Sequence, residues 1–167
     1  EECNQIISQF MDYLKPISQE TFSAVNLNDI ASEVASSEGS YHIEVSVNFS
    51  HTIKDIHANP IAIKRAISNL VVNAIRYGNG WISLRTGMSA DGKQVWVSVE
   101  DNGPGIKQDQ IAKLLEPFTR GDTARGSEGT GLGLAIVKRI ANQHNGTIRV
   151  NNRSEGGVHA QLRLPTK

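Results

Sequence analysis

A long amphipathic segment lies near the centre of the chain and has a clear signal at each end. At its start, Asn59 offers a helix-capping side chain and Pro60 suits the first helical position. At its end, Gly78 is a typical helix stop. The apolar residues between these signals recur at helical spacing: Ile63, Ala66, Ile67, Leu70, Val71 and Ala74. The pattern predicts a helix up to Gly78 whose apolar stripe packs against a larger core.

Segments with a two-residue period flank this helix and predict strands. Before it, residues 43–47 alternate apolar and polar side chains, and residues 52–56 follow as a second short strand. After it, two predicted hairpins each turn at a glycine-containing segment: residues 81–86 with residues 95–99, and residues 147–150 with residues 158–164. The hairpins predict a sheet in which most neighbours run antiparallel.

The N-terminal part of the chain predicts two helices separated by a linker. Residues 4–14 carry an apolar stripe at helical spacing, and Pro16 ends it. The stretch that follows has no clear period, so the main domain is expected to begin near Val25. Either Asn26 or Asn28 then caps a helix that ends by the next glycine.

The C-terminal part predicts two more helices around a loop. A short helix is expected from about residue 109 to residue 115, and residues 116–130, with their glycines and small polar side chains, predict a mobile loop. The last helix runs from residue 132 to about residue 144 and closes at Asn145-Gly146. The complete order of elements predicts a mixed, mostly antiparallel sheet with its helices layered on one face.

The composition describes a globular chain and excludes several classes of function. The 17 basic and 17 acidic residues of the 167 balance, so we expect no general attraction to nucleic acid or to anionic membranes. A single cysteine, Cys3, excludes an internal disulfide and a cysteine-rich zinc site. The sequence has no apolar run of about 20 residues, and its acidic start is unlike a signal peptide, so we expect a soluble chain that can still be part of a membrane protein.

The long helix carries three polar residues on one face. Asn69, Asn73 and Arg76 are spaced by four and three residues, so they lie on the same side, beside the apolar stripe. An asparagine carbonyl is a neutral oxygen ligand suited to Mg²⁺, and a nearby arginine attracts phosphate oxygens. The face is therefore either a metal and phosphate site or an ordinary solvated helix edge.

Residues 101–106 (Asp-Asn-Gly-Pro-Gly-Ile) form a glycine-rich loop directly after a predicted strand. Gly103 and Gly105 let the backbone turn sharply and approach a flat ligand closely. The ionised side chain of Asp101 only accepts hydrogen bonds, so it favours the exocyclic amine of adenine and repels the carbonyl oxygen of guanine. The alternative is a plain turn after a strand.

A second glycine-rich loop, residues 129–134 (Gly-Thr-Gly-Leu-Gly-Leu), opens the last predicted helix. Unpaired backbone amides and the helix dipole favour anions at such a position, and the glycines let phosphates come close. A Rossmann fingerprint requires a preceding strand, and a P-loop requires Gly-Lys-Ser/Thr, and this segment has neither. It therefore belongs to neither of the common phosphate-binding motifs.

Taken together and in this order, these segments resemble the conserved boxes of sensor histidine kinases, in the superfamily of gyrase, chaperone, histidine kinase and mismatch-repair ATPases. Residues 69–77 resemble the N box, residues 101–106 the first glycine box, residues 116–118 (Glu-Pro-Phe) the F box and residues 129–133 the second glycine box. The resemblance covers nearly the whole chain. It implies an α/β sandwich, the Bergerat-type ATP-binding fold, in which ATP lies between the long helix and the predicted loop.

The resemblance also implies a domain layout and residue roles. Residues 1–15 would end a preceding helix-hairpin dimerisation domain, residues 16–25 would be a linker, and residues 26–167 would form the ATP-binding catalytic domain. Asn73 would bind Mg²⁺ and Asp101 the adenine amine. The base would be lined by Tyr77, Ile106, Phe118 and Leu132. Further nucleotide contacts would come from Asn69, Gly103, Gly105, Gly129, Thr130, Gly131 and Gly133, with Arg76, Arg120 and Arg125 as weaker phosphate candidates.

The same resemblance bears on the type of reaction. Members that hydrolyse ATP carry a glutamate four residues before the Mg²⁺-binding asparagine, and Asn69 holds that position here. A neutral amide cannot take a proton from water, so phosphoryl transfer to a protein nucleophile is favoured over hydrolysis. The family's acceptor histidine is followed by an acidic residue and a proline. All histidines of this chain lie outside such a context and are expected to be surface or strand residues without a metal site: His42, His51, His57, His144 and His159.

Two functional interpretations follow. In the first, the chain delivers the γ-phosphoryl group of ATP to a histidine on a separate dimerisation domain, which passes it to a response regulator. The full protein would then be a membrane-bound homodimer, with this domain in the cytoplasm. In the second, the chain is a nucleotide-responsive binding module without transfer chemistry. The complete set of boxes favours the first.

Overall fold

The computed structural model describes residues 22–38, 43–107 and 133–166, and the fold is stated for these residues. Five strands form one mixed sheet in the spatial order β2-β4-β5-β7-β6, in which β2 and β4 are parallel and the other neighbours antiparallel. The elements in chain order are β1 (Ser23–Val25), α1 (Leu27–Glu38), β2 (Glu44–Asn48), β3 (Ile56–Ala58), α2 (Pro60–Tyr77), β4 (Trp81–Met88), β5 (Gln94–Asp101), α3 (Gly133–Gln143), β6 (Thr147–Asn152) and β7 (Val158–Pro165).

The long central helix is confirmed as α2, with both of its predicted ends. The side-chain oxygen of Asn59 accepts hydrogen bonds from the amides of Ile61 (3.0 Å) and Ala62 (3.1 Å), which satisfies two amides that the first helical turn leaves unpaired. At the other end, the amide of Gly78 donates to the carbonyl oxygen of Ala74 at 2.8 Å. The residues of the predicted apolar stripe are all buried.

Both predicted hairpins are confirmed. In the β4–β5 turn, the carboxylate of Asp91 accepts hydrogen bonds from the Ser89 hydroxyl (2.6 Å) and the Lys93 amide (3.0 Å). Gly92 has a φ of 71°, a conformation that favours glycine. The predicted stop of the last helix is also confirmed, because Asn145, two residues after the end of α3, has a φ of 59°.

The strand predicted over residues 52–56 is displaced. Thr52 lies in an exposed turn, where its amide donates to the Ser50 hydroxyl at 3.3 Å, and the strand forms instead at Ile56–Ala58. Its partner is the strand Ser23–Val25, which the sequence predicted as the end of a linker. The strands form here because pairing them buries apolar side chains of both, which local β propensity cannot reveal.

The structure also decides between the two candidate caps of α1. Asn26 is the cap, since its side-chain oxygen accepts from the amide of Asn28 at 2.8 Å. The Asn28 side chain instead ties α1 to the sheet. It donates to the carbonyl oxygen of Ser50 and accepts from the hydroxyl of Thr86, both at 2.6 Å.

The core lies between one face of the sheet and the three helices, with α2 in contact with both α1 and α3. Cross-strand register separates the two faces of the sheet. One row of paired residues is buried beneath the helices: Leu84, Val99, Ala160 and Val150. The adjacent row is polar and lies on the other face: Arg85, Ser98, Gln161 and Arg149. The predicted layering of helices on one face is therefore confirmed.

Three predicted elements lie outside the described residues: the helix over residues 4–14, the helix over residues 109–115 and the loop over residues 116–130. Among the described helices, none has the length and apolar character needed to cross a membrane.

Candidate functional site

Asp101, the predicted adenine-recognising residue, is the last residue of β5 and is only 5% exposed. Its Oδ1 atom accepts hydrogen bonds from the backbone amides of Gly103 (2.9 Å) and Val158 (3.2 Å). Amide donors stabilise an ionised carboxylate, so the structure holds an acceptor in a fixed position at the end of the strand. The first amide belongs to the predicted glycine loop and the second to the start of β7.

The loop that follows Asp101 is fixed by the end of β6. Asn152 pairs with the backbone of Ile106 in both directions, accepting from its amide at 2.8 Å and donating to its carbonyl oxygen at 2.6 Å. Gly105 has a φ of 83°, and a β-carbon at this position would lie 2.8 Å from the Asn152 side-chain oxygen. Gly105 is therefore needed both for its backbone conformation and for the close approach of Asn152.

The glycine loop and the C-terminal end of α2 are in direct contact. The amide of Asn79 donates to the side-chain oxygen of Asn102 at 3.0 Å. A β-carbon at Gly78 would overlap the carbonyl oxygen of Ala74 and lie 3.0 Å from the β-carbon of Asp101. The fold thus joins two motifs that are more than twenty residues apart in the sequence.

The polar face of α2 carries Asn69 and Asn73, both partly buried, and Arg76, which is exposed. The side-chain nitrogen of Asn69 is buried and has no hydrogen-bond partner among the residues that the structure describes. Leaving a buried donor unpaired costs about 1–3 kcal/mol, so this atom suits a ligand that offers an acceptor oxygen. The carboxamide oxygen of Asn73 is the kind of neutral ligand that Mg²⁺ accepts. These residues fit a Mg²⁺-bound phosphate chain.

The second glycine box is described only at its last position. Gly133 is the first residue of α3, so its amide lies in the first turn of a helix, where amides are available to anions. The other predicted site residues lie outside the description: Phe118, Arg120, Arg125, Gly129, Thr130, Gly131, Leu132 and the side chain of Tyr77.

The family model described as histidine kinase-, DNA gyrase B- and HSP90-like ATPase matches residues 58–167. The chain belongs to this ATPase family. Two curated relatives from Escherichia coli K12 are the sensor histidine kinase CpxA, 35% identical over 72% of this chain and 26% of its own length, and the sensor histidine kinase ZraS, 33% identical over 97% of this chain and 35% of its own length. The chain therefore spans about a quarter to a third of these relatives.

Solved structures agree with the family. The histidine kinase domain of the E. coli osmosensor EnvZ is 39% identical, covers 92% of each chain and has a TM-score of 0.67. Full-length ShkA, solved with AMPPNP, has a TM-score of 0.82 over 96% of this chain and 35% of its own at 24% identity, and supports the fold. The Bergerat-type fold and the resemblance to sensor histidine kinases are confirmed, and the chain is an ATP-binding domain of that type.

Two residues of the ATPase domain that contact the main chain of Asp101 were not predicted from the sequence. The guanidinium group of Arg153, in the β6–β7 turn, donates to the main-chain carbonyl oxygen of Asp101 at 2.9 Å. At Gly157, whose φ is 92°, a β-carbon would overlap the same oxygen. The Gly-Gly pair of this turn was visible in the sequence, but only as a hairpin signal. Nothing local to Arg153 indicates a partner 52 residues away.

One histidine of the ATPase domain differs from the prediction. His144 is neither on the surface nor in a strand but is buried directly after α3. Its Nε2 atom accepts from the amide of Asn59 at 3.1 Å, its Nδ1 atom lies 2.8 Å from the carbonyl oxygen of Ile140, and its ring stacks on Phe22. Burial lowers its pKa. The neutral ring is thus a structural link to the N-cap of α2.

Proposed function

We propose that this chain is the catalytic domain of a sensor histidine kinase, which binds Mg-ATP and donates the γ-phosphoryl group to a histidine on a separate dimerisation domain. The observation that carries this proposal is the buried carboxylate of Asp101, held by two backbone amides where the glycine loop meets the end of α2. A fixed acceptor-only group suits the amine of adenine. Ile106 lies on the same loop, is held there by Asn152, and is a candidate contact for the base.

The face of α2 supports the proposed position of the phosphates. Asn73 would hold Mg²⁺ through its carboxamide oxygen, Asn69 would offer its buried donor to a phosphate oxygen, and Arg76 would add positive charge. Bound Mg²⁺ neutralises charge that develops on the phosphates during transfer. Gly133 and the preceding residues of the second glycine box would provide backbone amides, and Tyr77, Phe118 and Leu132 further base contacts.

Transfer is favoured over hydrolysis because Asn69 cannot act as a general base. It lies one helical turn before Asn73, and its neutral amide cannot take a proton from an attacking water molecule. The described histidines also offer no acceptor context, and His144 is buried with both ring nitrogens engaged. The chain would therefore act on a histidine that lies outside it.

The partners belong to the same proposal. Residues 1–15 would end the dimerisation domain, residues 16–25 would link it to the catalytic domain, and residues 26–167 would form the catalytic domain. The full protein would be a homodimeric inner-membrane sensor with its catalytic domain in the cytoplasm. A response regulator would receive the phosphoryl group. The narrower version, an EnvZ-like osmosensor with an OmpR-like regulator, is supported by 39% identity to EnvZ, while CpxA and ZraS are similar at 35% and 33%.

The test is transfer of radiolabel from γ-labelled ATP to an added histidine-bearing helical domain of a related sensor kinase. We expect acid-labile label on that domain, only with Mg²⁺ present, and none on the same domain after its histidine is replaced by glutamine. Calorimetry of ATP binding is measured in parallel. ATP binding without transfer to any acceptor would favour the alternative, a nucleotide-responsive binding module.

A further inference from the structure

We propose that Arg153 is a positioning residue for nucleotide recognition: its guanidinium group holds the main chain at Asp101 so that the carboxylate keeps its orientation. This inference rests on the proposed role of Asp101 as the adenine contact. The two residues are 52 positions apart: Asp101 ends β5, and Arg153 lies in the β6–β7 turn. Arg153 belongs to none of the four motif segments.

The guanidinium group of Arg153 joins the end of β5 to the β6–β7 turn. One terminal nitrogen donates to the carbonyl oxygens of Asp101 (2.9 Å) and Gly156 (3.1 Å). The Nε atom lies 2.9 Å from the carboxylate of Glu100, the residue before Asp101. A single side chain therefore contacts two consecutive residues of β5 and the turn that packs behind them.

The remaining contacts fix the guanidinium plane. The central carbon lies 5.0 Å from the ring centroid of Trp81, at the start of β4. The second terminal nitrogen forms an ion pair with Glu155 at 3.2 Å. Only 14% of the Arg153 side chain is exposed, so the group has little freedom to leave this position. A cation over an aromatic face and between carboxylates is held electrostatically as well as sterically.

The same turn also reaches the Asp101 carboxylate. Val158, which follows the turn, donates its amide to Oδ1, and Gly157 packs against the Asp101 carbonyl group so closely that a β-carbon would not fit. Loss of the Arg153 contacts would leave a carbonyl oxygen of β5 short of a donor and release the turn. The amide of Val158 would then move away from the carboxylate that it orients.

Lysine cannot replace this arginine. The guanidinium group presents several donors in one plane, which lets it contact two carbonyl oxygens and two carboxylates while lying over a ring. An ammonium group is a compact point charge and cannot span these partners. Arg153→Lys should therefore behave like a loss of function rather than a conservative change.

The experiment compares Arg153→Ala and Arg153→Lys with the control Arg149→Ala, an exposed arginine on β6, the strand that precedes the turn. Calorimetry gives the affinities for ATP and GTP, and amide hydrogen exchange follows Gly103 and Val158 against Leu84 in the buried core. We expect both Arg153 variants to bind ATP about 10- to 100-fold more weakly and to discriminate less against GTP. Exchange at Gly103 and Val158 should increase while Leu84 stays protected.

Two outcomes would overturn the inference. The first is an Arg153→Ala protein with unchanged ATP affinity and unchanged discrimination against GTP. The second is a uniform loss of protection that includes Leu84, which would make Arg153 a general stabiliser of the fold. If the parent chain fails to bind ATP, the proposed function fails, but exchange at the two amides still reports whether Arg153 positions Asp101.

Discussion

The two sides of the proposed nucleotide site are built differently. At the Asp101 side, the carboxylate, the main chain and the following loop are all bonded to the β6–β7 hairpin. At the α2 side, the helix is anchored by its buried stripe, but the side-chain nitrogen of Asn69 has no hydrogen-bond partner among the described residues, and Arg76 is exposed. One side is preorganised by the protein, and the other keeps its polar groups available.

This difference indicates how binding and specificity are divided. Groups that are fixed before a ligand arrives need no reordering when it binds, so the Asp101 side can select the base. Polar groups that lack partners gain the most from a charged ligand, so the α2 side suits the phosphates and Mg²⁺. Substitutions on the two sides should then differ in their dependence on Mg²⁺.

The largest effect is expected from breaking the preorganised side. Gly157→Ala places a β-carbon against the Asp101 carbonyl oxygen in a backbone conformation that disfavours alanine, so it should lower the free energy of unfolding by about 3 kcal/mol or more. Gly156→Ala is the matched control, since its φ is also positive but nothing lies within 4 Å of the added carbon, and it should cost about 1 kcal/mol. Urea unfolding measures both, and equal effects would contradict the close packing.

The second prediction isolates the α2 side. Asn73→Ala should abolish the increase in ATP affinity that Mg²⁺ produces, and any transfer to a supplied histidine domain, while leaving the weaker Mg²⁺-free binding unchanged. Calorimetry with and without Mg²⁺ measures this, and Asn142→Ala on α3 serves as the exposed control. If the Asn73→Ala protein binds Mg-ATP normally, Asn73 is not a Mg²⁺ ligand, and this helix face is an ordinary solvated edge.

The third prediction concerns the Asp101 side, where a substitution should weaken ATP binding independently of Mg²⁺. Asp101→Asn should weaken ATP binding about 10- to 100-fold, equally with and without Mg²⁺, because the amide is a weaker acceptor or presents a wrong donor to the adenine amine. Circular dichroism is the folding control, since an amide oxygen can still accept from Gly103 and Val158. Unchanged ATP affinity would remove Asp101 from the site.

The smallest expected effect is a pH dependence of stability caused by His144, which contacts the N-terminal end of α2. Burial lowers the pKa of His144 from its ordinary value of 6.5, so the folded state resists protonation while the unfolded chain accepts a proton near that pH. The contribution of His144 to stability should be constant above pH 6.5 and fall below it, by at most about 1.4 kcal/mol per pH unit. His144→Gln should lose this slope between about pH 6.5 and 5.5, whereas His57→Gln, at an exposed position, should keep it. If the His144→Gln protein keeps this pH dependence of stability, a group other than His144 causes it.

Prediction from sequence succeeded where the deciding interactions are local. The cap at Asn59, the turn at Gly92 and the stop at Asn145 each depend on residues within a few positions. It failed at β1, because that strand exists only through pairing with β3, more than thirty residues away. The site shows the same division. Asp101 and the α2 asparagines were recognisable as motifs, while Arg153 acts through a contact that only the strand register creates.

The β4–β5 turn has a practical consequence for protein engineering. Its hydrogen bonds run largely among its own residues, from Ser89 to Gln94, and it lies at the opposite end of β5 from Asp101. Gln94 and Asp101 stand at the two ends of this eight-residue strand, about 23 Å apart. A reporter peptide or fluorophore inserted between Asp91 and Gly92 would report on the sheet without touching the base-binding end. The β6–β7 turn offers no such freedom, because Arg153 and Gly157 both contact the main chain of Asp101.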